Sequence, residues 1–104
     1  MKVVVTAPAH ADLQAIGDWI ARDNRRRALT FIEELEEACA ALAENPLRFQ
    51  LVPGRASRGV RRRIHGNYVI FYTGGPAEVT VLRVLHGARN YEPLLFPEDD
   101  PPEP

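Results

Sequence analysis

From Ala7 to Glu44 the apolar residues recur at steps of three and four, broken only around Asp23 and Asn24. That periodicity constrains the fold more than any other feature of the chain. Ala9, Leu13, Ile16 and Ile20 line one face of a helix running from Ala7 to about Asp23, with Trp19 beside the stripe, Thr6 as its cap and Pro8 tolerated in the first turn. Ala28, Phe31, Leu35, Ala38, Cys39 and Leu42 keep the same spacing from about Asn24 to Glu44. Pro46 closes this second helix, because the proline ring disfavours helical geometry at Asn45. A connection of only one or two residues predicts an antiparallel helical hairpin, and a hairpin with one apolar face needs a second layer to bury it.

The rest of the chain supplies that layer. Lys2 to Thr6 contains Val3, Val4 and Val5, a β-branched run too short for a helix and read as a buried strand. Residues 45–59 hold Pro46, Pro53, Gly54, Ser57 and Gly59 without periodicity and read as a loop. Three strands follow: Val60 to Ile64, Tyr68 to Tyr72 after a Gly66-Asn67 hairpin turn, and about Glu78 to His86 after Thr73-Gly74-Gly75-Pro76. The last is apolar on both faces through Val79, Val81, Leu82, Val84 and Leu85, as a central strand should be. A segment from Gly87 to about Leu95 reads as irregular or as one helical turn. The expected fold is α+β: an N-terminal strand and a helical hairpin covering one face of a small, mainly antiparallel sheet, in a single domain over residues 1–95. Phe96 to Pro104, rich in Pro, Asp and Glu, reads as a disordered tail. The sheet face away from the hairpin is expected to carry the function.

The net charge of -1 conceals a segregation. Residues 1–44 sum to -3, residues 45–77 carry six arginines and no acid, and residues 78–104 sum to -4. The middle block points to an anionic partner or an acidic protein segment. Twelve of the thirteen basic residues are arginine, which suits planar bidentate contacts to carboxylate or phosphate. Cys39 is the only cysteine, so an intrachain disulfide framework and a thiolate zinc site are excluded and a reducing cytoplasm is expected. The apolar runs fall short of a membrane span, and the start MKVVVTAPAH is too short in apolar residues for a secretory signal. Neither a phosphate-binding glycine loop nor a G-x-S-x-G elbow is present.

Strand parity places Arg61 and Arg63 on one face of the sheet and Arg62 on the other, so the first two could clamp an anion or serve only to blunt an edge. Arg83, inside an apolar strand, must either meet a carboxylate or open onto a ligand site. His86, Arg89 and Tyr91 cluster after the last strand and hold the acid, base and phosphate-binding groups that RNA cleavage needs, although a histidine at a strand end commonly just ties a turn. His10 and His65 lack partners at metal-ligand spacing, and no metal or cofactor is expected. Glu33, Glu34, Glu36 and Glu37 read as the solvated face of the second helix, and Cys39 as core.

In order along the chain stand Val5-Thr6-Ala7-Pro8-Ala9-x-Ala11-Asp12-Leu13-x-x-Ile16, Arg27-Ala28-x-x-Phe31, Leu42-x-x-x-Pro46, Gly59-Val60-Arg61, Tyr68-x-Ile70-Phe71-Tyr72 and Val81-Leu82-Arg83-Val84-Leu85-His86-Gly87-Ala88-Arg89. Together they resemble the RelE/ParE superfamily of type II toxin-antitoxin toxins, over about residues 3 to 95. The resemblance implies a helical hairpin on an antiparallel sheet and one of two activities. RelE-like members cut messenger RNA in the ribosomal A site, commonly with lysines on the central strands, whereas ParE-like members poison DNA gyrase. Lys2 is the only lysine here, and an always-protonated arginine makes a poor base. The VLRVLHGARN ending resembles the ParE branch, so a non-catalytic gyrase poison is expected, with Arg61, Arg63, Arg83 and Arg89 contacting the target. The alternatives are a ribosome-dependent endonuclease using His86, Arg89 and Tyr91, and an inactive domain that serves only as an antitoxin's corepressor. A ParD-like antitoxin is expected to bind in a hetero-oligomeric complex through Leu13, Ile16, Trp19, Arg58 and Arg62. DNA is expected to be reached only through that antitoxin, and no membrane is involved.

Overall fold

The computed structural model describes residues 1–53 and 58–96. Its first strand, β1 (Lys2–Val5), pairs in parallel with β4 (Glu78–His86), with Val5 opposite Val81. Thr6 then turns the chain away: its hydroxyl donates to the Val81 carbonyl at 3.0 Å and accepts from the Ala9 N–H at 3.3 Å. One side chain thus caps helix α1 (Ala7–Ala21) and ties its start to the sheet.

Helix α2 (Arg25–Ala41) follows after three residues, with the Asn24 side chain accepting from the Arg27 N–H at 3.0 Å. The hairpin is therefore as expected. Its second helix ends earlier than the periodicity suggests, because Leu42, Ala43 and Glu44 donate to carbonyls three residues back and tighten the chain ahead of Pro46.

Strands β2 (Val60–His65) and β3 (Tyr68–Gly74) complete a four-stranded sheet in the order β1-β4-β3-β2, antiparallel except at β1. The loop before β2 is more regular than its composition implies. Val52 donates to the Val60 carbonyl at 2.8 Å and Arg62 to the Gln50 carbonyl at 3.0 Å, so a three-residue stretch covers part of the outer edge of β2. Three residues are too few to show a period.

Two cores flank the sheet. On the hairpin side Leu13, Ile16, Phe31 and Leu35 meet Ile70, Tyr72, Val79, Val81 and Val84. On the other side Val52, Val60, Phe71, Leu85 and Phe96 form a smaller cluster, joined by residues around the short helix α3 (Glu92–Leu95). A register shift at Phe71/Tyr72 leaves Leu82 unmatched in β4, so that Val84 returns to the face of Val79 and Val81.

The smaller cluster corrects two sequence expectations. Phe96 belongs to the folded domain and is 4% exposed, because its ring fills the space beside Val60 and Phe71. The second sheet face is also partly covered by the chain itself. The remainder of the expected tail, residues 97–104, lies outside the described residues.

Cys39 sits in the larger core, and burial pushes its thiol pKa up to about 11. At about pH 8, a disulfide reagent should modify the native protein at under roughly a hundredth of the rate seen in denaturant, since only thiolate reacts. Equal rates would contradict the packing.

Candidate functional site

The parity of β2 is as the sequence predicts, but the faces are the reverse of what a target-facing pair needs. Arg61 and Arg63 point to the hairpin side. Arg61 donates to the Phe49 carbonyl at 2.7 Å, and Arg63 donates to the Ala38 carbonyl at 2.9 Å while lying 5.1 Å from the Phe49 ring. Ala38 is in the last turn of α2, where a cation is favoured by the exposed carbonyls. Tyr72 adds a bond from its hydroxyl to the Pro46 carbonyl at 2.7 Å, and burial raises its pKa. These three side chains fasten the loop after α2. They are not an exposed clamp.

Arg83 meets a carboxylate. Its Nε and Nη2 each donate to Asp12 at 2.7 Å, and the same carboxylate accepts from the Val84 N–H at 2.9 Å. The Asp12 hydrogen bonds push the guanidinium above its ordinary pKa. The site was missed at Asp12, although a signal existed: an acid beside the apolar stripe of one element and an arginine within the apolar run of another each need a partner.

Arg62 projects from the face opposite the hairpin, across from Phe71. It borders a depression of about 340 Å³ together with Ile64, Val69, Phe71, Gly87 and Tyr91. Ile64 is 68% exposed, and the Tyr91 ring lies 4.8 Å from that of Phe71. Arg62 and Arg89 make no side-chain hydrogen bond or ion pair among the described residues. His86 also borders the depression, but its Nδ1 accepts from the Ala88 N–H at 3.1 Å and its ring packs edge-on against Tyr68 at 5.5 Å. The structure therefore gathers Arg62, His86 and Tyr91 at one end of the sheet, with Arg89 in the connecting segment.

Of the residues expected to meet a partner, Leu13 and Ile16 are core and unavailable, because the stripe that would face a partner faces the sheet. Trp19 is 64% exposed, with Arg22 stacked over it at 5.3 Å. Arg58 is exposed and adopts a positive φ of 46° just before β2. Glu34 is more than a solvated acid: it binds Arg27 at 2.6 Å and His65 at 2.9 Å, and these hydrogen bonds lower its pKa. Among the described residues no helix is long and apolar enough to cross a membrane.

The profile of a family described as the ParE toxin of the type II toxin-antitoxin system parDE matches residues 3–91. Among solved structures, the fold is similar to a chain of the chromosomal ParDE system from P. aeruginosa, with a TM-score of 0.69, 22% identity and coverage of 83% of this chain and 95% of that one. It is also similar to a chain of the RelBE2 toxin-antitoxin complex from Mycobacterium tuberculosis, with a TM-score of 0.62, 22% identity and coverage of 82% and 95%. Curated proteins return no match.

Proposed function

We propose, from the premise that the chain belongs to the ParE toxin family of type II toxin-antitoxin systems, that it poisons DNA gyrase by binding and is neutralised by a ParD-like antitoxin. The observation that carries this reading is the division of labour among the arginines. Arg61, Arg63 and Arg83 are bound to carbonyls or to Asp12, while Arg62 borders the depression with its side chain unengaged and Arg89 stands in the exposed segment between Ala88 and Tyr91, which line it. The Arg62 guanidinium beside Ile64, Phe71 and Tyr91, with Arg89 two residues before Tyr91 in the chain, suits recognition of an acidic protein surface, with apolar contact at the centre and charge at the rim. Neither can take a proton from a ribose hydroxyl.

An antitoxin partner is supported by the two structural neighbours, which are a ParDE system and a RelBE2 complex. The six arginines of residues 45–77 would attract acidic residues of such a segment, and exposed Trp19 offers an apolar anchor on α1. Expression of the chain alone should arrest bacterial growth, and co-expression of the adjacent small gene should restore it. Unimpeded growth would instead favour a corepressor without activity of its own.

The endonuclease reading retains one specific support, since His86 and Tyr91 border the same depression as Arg62. Under that reading His86→Ala or Tyr91→Phe abolishes codon-phased cleavage at translating ribosomes. Under the gyrase reading mapped mRNA 5′ ends do not change on induction.

A further inference from the structure

We propose that the depression beside Arg62 is an anchor pocket for one aromatic side chain of a partner protein segment, with a carboxylate flanking that ring in the partner's sequence bonded to the Arg62 guanidinium. This rests on the reading of that face as the working surface and names the chemistry it selects.

The aromatic preference comes from the lining. Phe71 is 2% exposed, and the Tyr91 ring lies 4.8 Å from it with the planes 38° apart. Ile64 from β2 and Val69 from β3 add aliphatic surface. Gly87 keeps the space between strands open: a side-chain carbon there would stand 3.4 Å from the Asn67 carbonyl oxygen and 3.7 Å from a Val69 methyl, both of which belong to lining residues. Ring pairs with centroids about 4.5–7 Å apart attract one another beyond what burial alone supplies, so a third ring set against Phe71 and Tyr91 gains more than an aliphatic chain. A volume of about 340 Å³ is at the low end of ligand sites, which run from roughly 300 to 1,000 Å³, and suits one large side chain rather than a whole helix.

Arg62 supplies the second requirement. It is half-buried at the border of the depression, its side chain makes no hydrogen bond or ion pair among the described residues, and no carboxylate is among the described lining residues. A guanidinium left without an acid beside apolar surface selects a carboxylate, which can accept two of its N–H groups at once. His86 adds no second anion site, because its Nδ1 already accepts from the Ala88 N–H. A nucleic-acid strand could meet the same rings, but it needs cations spaced to follow successive phosphates. Arg62 is the one arginine or lysine among the described lining residues. One ring beside one acid matches what the depression offers, and an acidic protein segment presents both.

The test titrates the isotope-labelled full chain with capped tripeptides and follows its amide signals. Acetyl-Asp-Trp-Asp-amide should shift the amides of Ile64, Val69, Gly87, Ala88 and Tyr91. It should bind about tenfold more tightly than acetyl-Asn-Trp-Asn-amide, as for one charged hydrogen-bonded contact, and about fivefold more tightly than acetyl-Asp-Leu-Asp-amide, as for one ring pair. Arg62→Gln should bring the first ratio to about one and leave the second unchanged. Ile64→Glu, at a position 68% exposed where a charge does not disturb folding, should abolish binding of the acidic tryptophan peptide. Equal affinity for all of these peptides, shifts centred on Trp19, or an undiminished first ratio in Arg62→Gln would overturn the proposal. Tighter binding of adenosine monophosphate than of the acidic peptide at the same amides would overturn it in favour of a nucleic acid. None of these readouts involves gyrase. Unchanged supercoiling together with the expected ratios would remove gyrase as the partner and leave the pocket's selectivity standing, whereas equal peptide affinities with supercoiling blocked would do the reverse.

Discussion

Asp12→Ala is expected to lower the free energy of unfolding by about 3 kcal/mol and the melting temperature by roughly 15 °C. The carboxylate is 11% exposed and its partner Arg83 20% exposed, so water replaces little of what is lost. Both guanidinium bonds disappear at once. The Val84 N–H loses its acceptor too, at a point where β4 has run past the end of β1 and has no strand neighbour on that side. Asp12→Asn should cost less, because an amide oxygen can still accept from Val84. Arg83→Ala combined with Asp12→Ala should destabilise by less than the sum of the two, with a coupling of about 1 kcal/mol or more in a thermal or denaturant cycle. An Asp12→Ala protein that melts with the parent would show that the pair is dispensable. Arg83 is thus expected to matter for folding through Asp12, where the sequence reading expected it to contact the target.

The second large effect concerns function without stability. Reversing charge at both Arg62 and Arg89 should weaken target binding by about 2.8 kcal/mol, a hundredfold, because under the proposed reading each places an acid where a guanidinium would meet the partner's rim. Growth inhibition should be lost while the melting temperature stays within about 2 °C, because Arg89 is exposed and half-buried Arg62 makes no side-chain hydrogen bond or ion pair among the described residues. Arg61→Ala and Arg63→Ala should show the opposite pattern. Each removes a charged hydrogen bond to a backbone carbonyl and should cost about 1.5 kcal/mol. Full toxicity in the Arg62→Glu, Arg89→Glu protein, or toxicity lost in Arg61→Ala without a drop in melting temperature, would return the target surface to the hairpin side.

The hairpin was legible because helical periodicity is a local property, and so was the parity of Arg61, Arg62 and Arg63. Which face each arginine took was not. Three identical residues carry no difference in polarity along the strand, and the choice is made by Phe49 and Ala38, which meet them only after folding. The Asp12–Arg83 pair was half legible: Arg83 announced the need for a carboxylate, but the partner lies 71 residues away. Phe96 was hidden by its acidic, proline-rich context, although a lone aromatic bordering such a segment is a reason to look for an anchor. The shift at Leu82 had no signal at all, since residues on both faces of β4 are apolar.

The claim that the open face binds gyrase is tested most directly by purified gyrase acting on relaxed plasmid DNA in the presence of the purified chain. Supercoiling should be blocked, and gyrase should be trapped on broken DNA that appears as linear plasmid after protease treatment. The Arg62→Glu, Arg89→Glu protein should have no effect. Supercoiling that proceeds unchanged with the chain in excess, alongside codon-phased cleavage of mRNA on translating ribosomes that His86→Ala abolishes, would contradict the gyrase reading and establish the endonuclease in its place.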